Sequence, residues 1–382
     1  MNQALLHRRE AGMSLVELMV GMLIGLIGIV IITHLYITND RYKRSTTGAG
    51  TAQVNGAVAL YQLEREIRMS GYGINHSLAL GCTCAGANCS PVQYYYNGNS
   101  SFPPAGGAGG ALPPRVLAPV LITDNPGGPD TLTVLYSAAN ERMLPAQIVE
   151  PTAGPNHDYK IDGTQGFADN NLILVVQGGT CLLRQISKVQ IATTTLEHTT
   201  GPYDPVASFV PALTAGAAVF NLGTPTASGG PVWRTFSIAN TGNVYRLQSE
   251  DVLRTLALLP GTSAAPLVDD IVDLQAQYGK DDGTGGQPAD DGIVDTWDEI
   301  LPADATAWKR VLAVRVAVLA RSENYEKPSV AGGPCDATTA ANAPKWANGV
   351  IPMNVPGGLP SCYRYRVFET TIPLRNMIWR PA

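Results

Sequence analysis

The polarity pattern of this chain changes twice, and each change marks a structural boundary. Leu18 to Ile32 is almost unbroken apolar sequence, and the apolar character extends from Met13 to Ile37. A helix of about 20 residues crosses a bilayer, so this stretch is long enough to span one. Past Thr38 the run gives way to a mixed segment. There Ala49, Ala52, Gly56, Leu60, Leu63 and Ile67 recur at helical spacing, which predicts that the helix continues with one face able to pack on a sheet. Glu64 and Arg68 form an i,i+4 pair away from that face, and Gly71 and Gly73 supply a stop. Residues 13 to about 70 therefore read as one long helix.

The second change follows a loop-like stretch from Ile74 to Arg115. It holds three cysteines, the triplet Tyr94-Tyr95-Tyr96 and a Pro/Gly/Ala-rich run, and it lacks the apolar content to build a core. From Val116 on, short apolar or alternating runs are separated by Gly, Pro, Asn and Asp, the pattern of strands and turns. The runs are Val116–Thr123, Thr131–Ser137, Leu172–Gln177, Cys181–Ile191, Val232–Ile238, Asn243–Gln248, Val311–Leu319 and Tyr363–Thr371. Val314, Val316 and Val318 alternate with Arg315 and Ala317, as in a half-buried strand. The expected fold is α+β, a long helix laid against a mainly antiparallel sheet. A net charge of -5 argues against general nucleic-acid binding.

The N-terminus carries the most specific chemistry. A short leader with Arg8 and Arg9 ends at Gly12, the apolar stretch opens at Met13, and a single acid, Glu17, sits on the fifth residue past the glycine. A secretory signal would be cut after its apolar core at a small-x-small site, and Thr33-His34-Leu35-Tyr36 offers none. A plain membrane anchor shares the apolar span but leaves Glu17 unexplained. An acid at the centre of a membrane helix costs about 2.5 to 3.5 kcal/mol on insertion scales, less near an end, and such residues usually mark function. The leader and helix resemble the class III signal of the type IV prepilins. The segment Leu63 to Gly73, the Tyr278-Gly279 acidic turn, the Trp308–Ser322 strand and the stretch from Tyr363 to Trp379 resemble minor pilins of the PilW family. Residues from about 80 to 260 match no pattern.

That resemblance implies a type IV pilin-like fold and a set of roles. A prepilin peptidase would cut between Gly12 and Met13, and the new terminus at Met13 would be N-methylated. The domains implied are a leader (1–12), a transmembrane and filament-core helix (13–37), its amphipathic continuation (38–73) and a β-rich head (74–382). Glu17 would pair with the terminal amine of a neighbouring subunit, or with its own. The helix dipole favours a carboxylate there, and an opposite charge in hydrocarbon lowers the cost of both. Gly21, Gly25 and Gly28 would let neighbouring helices approach closely, although glycine is also common in membrane helices generally. Family members often carry a proline near the position of His34; this chain has none before Pro91. The implied partners are other minor pilins and the major pilin through the helix, the prepilin peptidase, the inner-membrane assembly platform, and the membrane before assembly. The implied work is structural: priming of pilus assembly and incorporation near the tip. A type II secretion minor pseudopilin and a tip adhesin acting through the Ile74–Arg115 loop are the alternatives.

Basic residues flank both ends of the apolar span (Arg8 and Arg9; Arg41, Lys43 and Arg44), so they do not set its orientation. The cysteines do better. Cys82, Cys84, Cys89, Cys181, Cys335 and Cys362 all lie beyond the span, and an even count there suggests disulfides in an oxidising compartment. The head is thus expected in the periplasm and, after assembly, at the cell surface. Cys335 and Cys362 bracket a Gly/Pro-rich loop and form the first expected pair; the other four allow three pairings. Cys82, Cys84 and Cys89 lack the matching half of a zinc knuckle.

One segment has the composition of a ligand site. Between Tyr278 and Trp297, Asp281, Asp290 and Asp295 are spaced around Gly283 and Gly292. Calcium prefers several oxygen ligands on such turns, but this is not an EF-hand: the D-x-[DN]-x-[DN]-G order and the closing Glu are missing. The competing expectation is a solvated acidic turn between strands. No other cofactor is expected. The chain has no H-E-x-x-H, G-x-S-x-G or Walker motif, and nothing raises a hydrolase above background.

Overall fold

A computed structural model describes residues 14–74, 79–80, 117–139, 142, 144–152, 158–178, 180–198, 212–225, 230–242, 244–253, 264–326, 328, 332–351 and 360–378. Helix α1 runs over Leu15–Met69 as one element. The strands, in chain order, are β1 (Val120–Thr123), β2 (Thr131–Tyr136), β3 (Ala146–Gln147), β4 (Tyr159–Lys160), β5 (Leu172–Gln177), β6 (Thr180–Gln190), β7 (Thr195–His198), β8 (Ala218–Gly223) and β9 (Val232–Thr241). They continue with β10 (Val244–Asp251), β11 (Ala265–Asp269), β12 (Ile271–Lys280), β13 (Thr296–Asp298), β14 (Val311–Arg321), β15 (Lys345–Trp346), β16 (Gly349–Val350) and β17 (Tyr365–Pro373).

Three larger sheets form, ordered β13-β12-β14-β17, β1-β2-β9-β10-β11 and β3-β8-β5-β6-β7-β4, and β15 pairs with β16. All the pairings are antiparallel. Every run read as a strand from the sequence contains a strand. The main omission is β12, which lies between β13 and β14 in the sheet under the helix.

The second half of α1 packs on β14 and β17, with further contact to β2, β11 and β12. Its buried stripe is Gly48, Ala52, Gly56, Ala59, Leu63, Glu66, Ile67 and Ser70. This is the expected face, with Ala49 and Leu60 at its edges and with Gly48, Ala59 and Glu66 added. The small residues set how close the helix lies. A Cβ on Gly56 would stand 2.1 Å from Cε2 of Phe368 on β17, so glycine is required there. Leu63 and Ile67 share an apolar core with Leu132, Val134, Leu274, Val314, Val316, Val318 and Ile372. The six-stranded sheet has its own cores, one including Leu172, Leu174 and Phe220 and the other Ile173, Val175 and Ile186.

The alternation expected of β14 holds only in part. Ala317 and Leu319 are as buried as the valines, because the other face is covered by Tyr245, Trp346 and Ile351. The strand is buried on both faces rather than half-buried.

The helix stops where predicted. Gly71 and Gly73 take positive φ of 80° and 73°. The chain then locks onto β2, with Gly71 N–H donating to Leu135 O (2.9 Å) and Ser137 N–H to Tyr72 O (2.8 Å). From the C-terminal end, Asn376 Nδ2 reaches the carbonyls of Met69 (3.1 Å) and Ser70 (3.0 Å), satisfying helix-end acceptors.

Candidate functional site

Two places hold the residues singled out above. The first is the start of α1. Ser14 is its N-cap and Leu18 N–H donates to Ser14 O at 3.1 Å, so Glu17 lies in the first turn. From Leu15 to Ile37 the apolar side chains are exposed: Val16, Ile24 and Ile32 are 65%, 64% and 68% accessible. That surface is incompatible with water and is the one helix among the described residues long and apolar enough to cross a membrane. Two hydroxyls toward its far end are satisfied locally. Thr33 Oγ1 donates to Ile29 O (2.7 Å) and Thr38 Oγ1 to His34 O (2.9 Å), so neither hydroxyl needs water.

At about 100° per residue, Glu17, Gly21, Gly25 and Gly28 fall within an arc of roughly 80°. The acid and the small residues therefore occupy one face. None of the three glycines has a neighbouring atom within 4 Å of an added Cβ, so the intramolecular fold does not require them. Gly12 and Met13 lie outside the described residues, as do Cys82, Cys84 and Cys89.

The second place is the acidic turn. Strand β12 leads into it and β13 leads out, with Lys280 opposite Thr296 and Gly279 opposite Trp297. Gly279 is needed because the Trp297 ring occupies the space of a side chain; a Cβ would meet it at 2.7 Å. Arg315 stacks on the other part of this layer, its guanidinium 4.0 Å from the Trp297 ring centre. The turn is tied to itself through carboxylates. Asp281 Oδ2 accepts from Gly292 N–H (2.6 Å), and Asp295 Oδ2 accepts from Gly283 N–H (2.8 Å). Asp282 Oδ1 accepts from Thr284 N–H and Thr296 Oγ1, both at 3.1 Å. Hydrogen bonding to Thr284 holds the Asp282 carboxyl below its ordinary range.

The expected set Asp281, Asp290 and Asp295 does not come together. Asp290 is turned to Arg310, accepting from Nε at 3.3 Å and Nη2 at 3.0 Å, a partner that spacing within the turn did not reveal. Among the described residues no group of three or more His, Cys, Asp or Glu side chains gathers around one point. The tip of the turn is solvated as expected, with residues 284–292 all exposed, while Asp281 at its base is only 2% exposed.

The expected disulfide is present: Cys335 is bonded to Cys362, with Cα atoms 4.8 Å apart. Cys181 is disulfide-bonded as well. Sequence reasoning missed Glu66. This buried carboxylate accepts from Tyr136 Oη at 2.9 Å and pairs with Arg234 Nη1 at 3.3 Å. An acid recurring on the small-residue face of the helix was the available signal.

A prepilin-type apolar helix joined to an antiparallel β head defines a type IV pilin-like subunit. Two family models match the chain: the Prokaryotic N-terminal methylation motif over residues 7–33 and the Type IV Pilus-assembly protein W over residues 240–376. The second match takes in the sheet beneath the helix and the acidic turn. Together they support a type IV minor pilin of the PilW family, processed by a prepilin peptidase. No curated protein and no solved structure matches the chain. The family is structural rather than catalytic, and similarity to it implies, in general, contact with other pilins and the peptidase, and fits an inner-membrane anchor before life in a pilus.

Proposed function

We propose that this minor pilin primes pilus assembly and stays in the fibre near its tip, joined to neighbouring pilins by the Glu17 face of α1. One observation carries the reading: the sole acid of the apolar segment shares a face with three glycines that the subunit's own fold does not use. A small-residue face admits a neighbouring helix at close range, where an opposite charge is worth most in a medium of low dielectric constant. Cleavage between Gly12 and Met13 would leave an amine at the helix start. Glu17 of one subunit would then dock against the amine of the next, fixing the axial register as the helix leaves lipid. The head would face the periplasm, where the disulfides form.

Replacing Glu17→Ala in an otherwise normal strain tests this. The expected result is normal membrane levels of the processed chain, loss of it from sheared fibres, and fewer fibres per cell. Undiminished incorporation of the variant would end the docking role. Mass spectrometry of the N-terminus from sheared fibres should show a methylated Met13; an intact leader would refute processing at that bond.

A further inference from the structure

We propose that Asp281 and Asp295 hold a calcium ion at the head's acidic turn. Lys280 and Thr296 are the last paired residues of β12 and β13, so Asp281 and Asp295, the next residue on each strand, leave the ladder side by side. Like charges on neighbouring residues across such a pair repel. The backbone of each is fixed: Asp295 N–H donates to Lys280 O (2.8 Å) and Asp281 N–H to Arg310 O (2.9 Å).

Each carboxylate spends one oxygen on the turn, Asp281 on Gly292 and Asp295 on Gly283. The second oxygen of each, Oδ1, is buried with no hydrogen-bond partner. Asp281 is 2% exposed. Two buried acceptor oxygens on neighbouring carboxylates, both unsatisfied, carry a desolvation cost that a bound cation relieves.

Among the nearby cations, none donates a hydrogen bond to either Oδ1, although the Arg310 charge is felt at Asp281 and Asp282. Arg310 forks onto Asp290, and Lys280 Nζ bonds Asp298 and the Ile300 carbonyl. Asp282 Oδ1 is held by Thr284 and Thr296. The donor set is therefore two carboxylate oxygens without imidazole or thiolate, completed by backbone carbonyls and water. Hard oxygen donors on an irregular, glycine-rich turn suit calcium rather than zinc, and magnesium demands a stricter octahedron. Two carboxylates place the affinity in the class of extracellular calcium modules, with Kd on the order of 0.1–1 mM.

The test is thermal unfolding of the full chain in detergent after chelation, titrated with calcium chloride or magnesium chloride. Calcium at about tenfold the half-saturating concentration should raise Tm by roughly 2–4 °C. Magnesium should give less. In Asp281→Asn/Asp295→Asn the calcium shift should vanish, while Asp290→Asn, which breaks only the Arg310 pair, should keep it. An unchanged Tm in the parent up to 10 mM calcium (about ten times the weakest Kd of that class) overturns the site; so does a shift that survives in the double variant.

Discussion

Glu66 offers the sharpest test of how the helix is fixed to the head. Its side chain is 7% exposed, at the point where α1 crosses β2 and β9, and it joins Tyr136 of β2 to Arg234 of β9. Burial, and then the Glu66 charge, push the Tyr136 phenol above its ordinary range, so the hydroxyl stays protonated and donates. Glu66→Ala removes a hydrogen bond to a charged acceptor, about 1.5–3 kcal/mol. It also removes an ion pair whose arginine is 33% exposed; screening limits that part to about 0.5–1 kcal/mol. The pair with Arg65, itself 70% exposed at 3.4 Å, adds little. The expected loss is about 2–4 kcal/mol. Glu66→Gln keeps an acceptor for Tyr136 and should lose only about 1 kcal/mol. Urea unfolding of the detergent-solubilised chain, followed by Trp fluorescence, gives both values. A double-mutant cycle with Tyr136→Phe should show a coupling of about 1 kcal/mol or more. A loss under 0.5 kcal/mol for Glu66→Ala, or additive variants, would refute the idea that this carboxylate pins the helix.

Two other outcomes are expected. The Cys335–Cys362 bond spans a sequence separation of 27, and chain-entropy arithmetic puts its removal by Cys335→Ser/Cys362→Ser at about 3.5 kcal/mol; equal urea midpoints for parent and variant, both oxidised, would contradict this. Burial raises the carboxyls of Asp130 to about 7 and Asp273 to about 6, from the usual 3.8. A raised carboxyl binds its proton more tightly in the folded chain, so its stabilisation is complete below about pH 4 and is lost as pH rises through 6 to 7. Stability between pH 5 and 8 should fall by on the order of 2–4 kcal/mol, and Asp130→Asn/Asp273→Asn should flatten that fall; an identical slope in the variant would show the decline arises elsewhere.

The elements legible from sequence were those whose burial follows a simple period. The helix stripe and the valine-rich β14 announce themselves because one face is apolar and regular. Strand β12 does not. Its Asp273, Gln275 and Gln277 occupy alternate positions and suggest solvent, yet Asp273 and Gln277 are each 3% exposed. They are accommodated by local bonds, such as Gln275 Nε2 to Asp273 Oδ1 (2.8 Å) and to Gly128 O (2.9 Å), that no periodicity encodes. Strand β8 was hidden differently. Ala218–Gly223 is buried at every position, so it shows no alternation, and Asn221 is satisfied inside by Gly166 O and Asn171. The acidic turn was visible as composition, but the turning of Asp290 away from Asp281 and Asp295 depends on Arg310, which lies just before β14.

The way α1 is seated also sets where mechanical load travels. Its buried stripe lies along β14 and β17, and Asn376 clasps its last carbonyls. The cores of the six-stranded sheet contain no α1 residue. A pull along the helix would pass into the four-stranded sheet and, through Glu66, into β2 and β9 of the five-stranded sheet, while the six-stranded sheet sits off that line.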